Sequence, residues 1–109
     1  MAQIKTIDWS SGPTQSITVA GITGPSTPTQ IVEIFFNNPE SGASYTLEII
    51  QSTALDAVPI TATWNVDILF PGGQSPSLTL QKGAVDVFTF VYTENFYSNI
   101  TYSLNVLPT

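Results

Sequence analysis

The fold reading turns on one stretch: Trp64-Asn65-Val66-Asp67-Ile68-Leu69-Phe70, Pro71-Gly72-Gly73-Gln74-Ser75-Pro76, Ser77-Leu78-Thr79-Leu80, and then Ala84-Val85-Asp86-Val87-Phe88-Thr89-Phe90-Val91-Tyr92-Thr93. Trp64, Val66, Ile68 and Phe70 fall on alternate positions. In an extended chain they share one face, opposite Asn65 and Asp67. Pro71-Gly72-Gly73 ends the run, because proline lacks an N–H and glycine reaches positive φ without steric cost. Pro76 keeps Ser75 extended and leads into a second strand, with Leu78 and Leu80 pointing one way. Gln81-Lys82-Gly83 reads as a turn. The run after it is apolar on both sides, with Val85, Val87 and Val91 on one face and Phe88, Phe90 and Tyr92 on the other. Such a strand is central and covered twice, or it carries a face for another subunit.

The rest of the chain has the same texture. Lys5, Ile7 and Trp9 alternate in a first strand, and Ile17 and Val19 mark a second. Gly24-Pro25-Ser26-Thr27-Pro28-Thr29 reads as an exposed loop, since two prolines in four residues exclude both helix and central strand. Val32, Ile34 and Phe36 give a third strand its core face, and Tyr45, Leu47 and Ile49 a fourth. Asn37 through Gly42 is a turn. Gln51 through Pro59 is a connection, with one helical turn possible at residues 54–57. Glu94 through Asn99 reads as a loop tipped by Phe96 and Tyr97, and Tyr102, Leu104 and Val106 as a last strand. About eight strands and no helical periodicity predict an all-β fold: an antiparallel β-sandwich, jelly-roll-like, without substantial helix. Residues 1–109 form a single domain, with 1–9 as an edge strand or exchanged arm.

Composition narrows the function classes. There is no cysteine and no histidine, and the two cationic side chains are Lys5 and Lys82. Disulfides, thiol chemistry and cysteine–metal sites are therefore excluded. With eight carboxylates the formal net charge is -6. Binding to nucleic acid needs several cations at phosphates, and anionic membranes need a basic patch, so neither partner is expected. Charged residues are only 9% of the chain, so Ser, Thr, Asn and Gln supply much of the polar surface. Neutral polar surface loses less solvation free energy in contact with other protein than charged surface does. Met1-Ala2-Gln3-Ile4-Lys5 lacks the basic region and apolar core of a signal peptide. Synthesis in the cytoplasm without export by that route is expected.

Chemistry-bearing constellations are sparse. Asp67 and Asp86 would be neighbours if their strands pair, and paired carboxylates serve glycoside hydrolysis. Both positions also fit solvated strand faces, which is the simpler reading. Asp56, Asp67, Asp86 and Glu94 could offer oxygen ligands to calcium if loops converge, but no repeat pattern supports it. Asn99-Ile100-Thr101 matches a glycosylation sequon and reads as chance. Trp9, Trp64, Tyr92, Phe96, Tyr97 and Tyr102 would make a sugar platform if exposed, but aromatics in a small β-domain are mostly core. Phe96 and Tyr97, at a loop tip, either touch a partner or fold back over the end of the domain. No catalytic residue, cofactor site or metal site is assigned, and no enzyme activity is expected.

Tyr45-Thr46-Leu47-Glu48-Ile49, Trp64, Pro71-Gly72-Gly73, Pro76-Ser77-Leu78-Thr79, Val85-Asp86-Val87-Phe88-Thr89-Phe90 and Tyr97 together resemble a β-domain that recurs in virion proteins of tailed bacteriophages. The resemblance covers residues 45–97. It implies a virion structural protein, found at the ends of tail fibres and spikes or as a free-standing shell protein, with no catalytic residues. The expectation is a capsid decoration (cement) protein, made in the host cytoplasm and assembled on the particle. It would bind the major capsid protein or another virion protein as a homo-oligomer, with a trimer favoured. The alternative is a tail-fibre or spike tip module that binds a host receptor or glycan. Ile4 and Trp9 in the amino-terminal arm, Pro25 and Pro28 in the proline loop, and Phe96 and Tyr97 are the expected partner contacts.

Overall fold

The computed structural model describes residues 2–22, 31–55 and 57–105. Among them the alternating segments form ten strands: β1 (Ala2–Asp8), β2 (Thr14–Val19), β3 (Gly21–Ile22), β4 (Ile31–Asn37), β5 (Ser44–Gln51), β6 (Ala57–Val58), β7 (Thr61–Trp64), β8 (Ile68–Leu69), β9 (Val85–Thr93) and β10 (Phe96–Ser103). Helical geometry among the described residues is confined to two 3-10 turns, Trp9–Ser11 and Pro71–Gly73. The domain is all-β. One sheet has the order β1-β4-β7, a second β2-β5-β9-β10-β8, and β3 and β6 form a small pair.

The apolar alternation decides which faces meet. Ile7, Val32, Ile34 and Phe36 of the three-stranded sheet share one core with Tyr45, Leu47, Ile49, Phe88, Phe90 and Tyr97 of the five-stranded sheet. Aromatic rings bridge the two sheets. Phe36 meets Phe90 at 5.4 Å and Tyr97 at 4.9 Å, and Trp64 meets Phe88 at 5.1 Å, all edge to face. Such pairs each add about 0.5–1.5 kcal/mol beyond the area they bury.

The strand directions differ from the antiparallel expectation. Among the described residues, four of the seven strand pairs are parallel: β1–β4, β4–β7, β2–β5 and β8–β10. The chain repeatedly crosses from one sheet to the other: β1 to β2, β4 to β5, and β7 to β8. Successive crossings stack side by side, so equivalent strands run the same way. Alternation in sequence reports which face is apolar and carries no information on strand direction.

Several segments depart from the sequence reading; among them, Ala57–Val58 of the expected connection form β6, and Leu104 of the expected last strand lies beyond β10. Trp64–Phe70 is not one strand: β7 stops at Trp64 and β8 starts at Ile68. Trp64, Val66, Ile68 and Phe70 nevertheless all pack against the core, because the crossing keeps their phase. Residues 77–80 form no strand; Leu78 is buried and Leu80 is exposed. The expected loop 94–99 is a two-residue hairpin, since Thr93 pairs with Phe96. Glu94 takes the left-handed position there, at φ 48°. Phe96 and Tyr97 thus open β10 instead of capping a loop.

Candidate functional site

The broadest candidate surface is the outer face of the five-stranded sheet. The register sets Val85, Val87, Thr89 and Val91 of β9 beside Ile50, Glu48, Thr46 and Ser44 of β5. On the other side stand Ser103, Thr101 and Ser98 of β10. The four β9 residues are half-buried. Glu48 is the one charged side chain in this group, and it accepts from Ser16 Oγ at 3.0 Å. The face is therefore largely β-branched and carries a single charge, which lowers the cost of covering it with protein.

The two larger sheets have four edge strands, β1 and β7 in one and β2 and β8 in the other. β1 lies at the edge of its sheet and pairs with β4 over seven consecutive residues without a shift. β8 covers β10 only at Tyr97 and Ser98. Beyond them a bulge lies between Asn99 and Thr101, where Asn99 Nδ2 donates to Thr89 O and Thr101 O. A bulge twists an edge away from further pairing, so β1 offers the more regular template. The same two bonds occupy the Asn99 amide, which is buried and not presented as a glycan acceptor.

A half-open pocket of about 380 Å³ lies just past the ends of β1 and β4, where β5 begins. Trp9 and Tyr45, stacked at 4.5 Å, form its floor. Pro13, Asn38, Glu40 and Ser44 line it as well. Asp8 braces the wall: its Oδ1 accepts from Ser10 N at 3.0 Å, Ser10 Oγ at 2.6 Å and Asn38 Nδ2 at 3.0 Å. The Ser10 hydroxyl, then the Asn38 amide and the Ser10 N–H, hold the Asp8 carboxyl below its ordinary range.

The expected contact residues are dispersed. Ile4 is 64% exposed on β1, and Phe96 is 36% exposed on the outer face of β10. Trp9 and Tyr97 are core residues instead, held there by Tyr45, Phe36 and Tyr92. Pro25 and Pro28 lie outside the described residues. Trp9 Nε1 and Tyr97 Oη are both buried without a well-formed hydrogen bond. Burial pushes the Tyr97 phenol up to about 12, and the indole N–H of Trp9 partly offsets this.

The carboxylate pair does not form. Asp86 is 1% exposed and points inward, in phase with Phe88 and Phe90. It accepts from Thr79 N at 2.7 Å, Thr79 Oγ1 at 2.8 Å and Asn105 N at 2.7 Å. Asp67 is exposed beside the start of β10, where its carbonyl accepts from Tyr97 N. Six residues of β9 separate that level from Asp86, roughly 20 Å. The solvated reading of Asp86 is thus overturned: it ties the segment after Pro76 and the chain after β10 to the central strand. Its phase with Phe88 was the available signal. Among the described residues no three carboxylates converge as metal ligands.

No family model matches the chain, and no curated protein or solved structure matches it either.

Proposed function

We propose that this chain is a virion structural protein of a tailed bacteriophage and, within that class, a capsid decoration (cement) protein. Its two sheets are read as a closed, jelly-roll-like sandwich that lies on the outer shell and bridges neighbouring major capsid subunits. The observation that carries this reading is the β-branched outer face of the five-stranded sheet, centred on Val85, Val87 and Val91 with Glu48 as its single charge. The resemblance over residues 45–97 supplies the virion setting. The regular edge of β1 adds a route for strand addition against the shell. Binding then rests on buried area, multiplied by several footholds in a homo-oligomer, for which a trimer is favoured. The chain acts by contact and not by catalysis.

Copy number in purified particles tests this. A decoration protein is among the most abundant small proteins of the particle, and particles lacking it lose heat or osmotic resistance. A copy number of a few to tens, with retention on a glycan column, would instead indicate the tail-tip module.

A further inference from the structure

Thr14, Thr46, Thr89 and Thr101 stand in one row across β2, β5, β9 and β10, on the outer face of the five-stranded sheet. The two sides of that row differ. On one side lies Glu48, with Ser16 and Val87 as its cross-strand neighbours. On the other side three large apolar side chains surround Ser98 of β10. Leu69 of β8 pairs with Ser98 and is 60% exposed. Phe96 comes two residues before Ser98 and shares its face. Ile100, the extra residue of the bulge, follows it and is 50% exposed. Glu48 and Ser98 are separated by two strand spacings and by the four residues of β9 from Val87 to Val91, roughly 16 Å.

Glu48 decides what can cover this face. It is half-buried, and its hydrogen-bond partner is the neutral hydroxyl of Ser16, at 3.0 Å. Taking a carboxylate out of water without a cation beside it is costly. Among the described residues no cation stands on this face. Lys5 is on β1 of the other sheet, and Lys82 Nζ donates to Ala54 O at 3.1 Å and Leu55 O at 3.3 Å. A second copy laid face to face would therefore bring no cation, and copies of net charge -6 repel. We propose that the outer face takes a different protein, which sets one Lys or Arg against Glu48 and apolar side chains over the Leu69, Phe96 and Ile100 cluster. The ion pair fixes orientation, and the apolar cluster supplies the anchor. Between them, the threonine hydroxyls can donate or accept, so the middle of the contact suits neutral polar groups of either kind. The inference rests on the proposed function for the source of that partner, the major capsid protein. Contacts between copies of this chain then fall on other surfaces.

The test uses purified protein and capsids of the encoding phage assembled without it, with binding read by co-sedimentation. Glu48→Gln leaves the partner's cation unpaired, so it should weaken binding at least about tenfold at low salt. Wild-type binding should also fall more with added salt than Glu48→Gln binding does. Leu69→Ser should weaken binding at least about tenfold, the loss expected of an anchor, and keep the wild-type salt response. Glu33→Gln makes the same charge change on the other sheet, where Glu33 accepts from Asn65 Nδ2 at 2.9 Å, and should bind as wild type does. Urea midpoints of all three variants should stay close to that of the wild type. Glu48→Gln protein that binds capsids as tightly as wild type, or with the same salt response, overturns the proposal and leaves the virion reading standing. Self-association of the wild type that Leu69→Ser abolishes makes a second copy the occupant, and overturns it too. Wild-type protein that never binds capsids overturns the proposed function, and this contact with it.

Discussion

The side-chain amide of Gln51 pairs reciprocally with the backbone of Ile60. Gln51 Nε2 donates to Ile60 O at 2.9 Å, and Ile60 N donates to Gln51 Oε1 at 3.1 Å. Both residues are 1% exposed. The amide thus acts as one further rung, continuing β5 of the five-stranded sheet onto the link that enters β7 of the other. Gln51→Leu would keep the volume and leave a buried N–H and a buried carbonyl unpaired. The expected loss is about 2–4 kcal/mol by urea unfolding, from two uncompensated buried groups. A loss under about 1 kcal/mol would mean that Ile60 finds other partners.

Asp86 holds its three donors without a cation among them. In Asp86→Asn one oxygen becomes an amide N–H₂, which cannot accept from Thr79 N or from its neighbours. The expected cost is about 1–3 kcal/mol. Amide exchange at Thr79 and Asn105 should accelerate more than exchange in β5. Uniform acceleration across the domain would show that Asp86 is not a local tie.

Tyr97 gives an alkaline signature. Its phenol is pushed up to about 12, chiefly by burial. Folding therefore favours the neutral form. That contribution is complete below the ordinary tyrosine value near 10 and is lost as pH rises from there through about 12. Ultraviolet titration of the wild type against Tyr97→Phe should show the Tyr97 step as the late one. A missing tyrosinate step near pH 10 in the difference curve is the expected result; a step there contradicts the burial. Because the hydroxyl has no well-formed partner, Tyr97→Phe should change stability by less than about 1 kcal/mol.

The outer sheet face separates folding from function. Val87→Asp sets a carboxylate opposite Glu48 on a half-buried, neutral surface. Stability should fall by about 1 kcal/mol or less, the size of a cross-strand like-charge pair. Binding to shells should be lost, because covering an unpaired charge is costly. Unchanged decoration by Val87→Asp would move the contact off this face.

The apolar faces were legible in the sequence wherever alternation was strict. Val32, Ile34 and Phe36, and Tyr45, Leu47 and Ile49, are buried as their spacing required. Leu78 and Leu80 were not legible, because two alternate leucines look alike whether a strand or an irregular segment carries them. Only Leu78 reaches the core. Trp9 was legible as an alternating apolar residue and equally as an arm contact, and only the stacking on Tyr45 separates the two. The pocket joins residues 9–13 to residues 38–45, and no local alternation records that these two segments meet.

Taken alone, the order of residues determined that the fold is all-β and which side of most strands is apolar, because side-chain direction alternates with every residue. It also determined how little charge the surface can carry. The tertiary structure decided strand direction, the inward placement of Asp86, and the meeting of residues 9–13 with 38–45 around the aromatic pocket. Those depend on which distant strands pair and how the chain crosses between sheets, and a local pattern with a period of two residues holds no record of either.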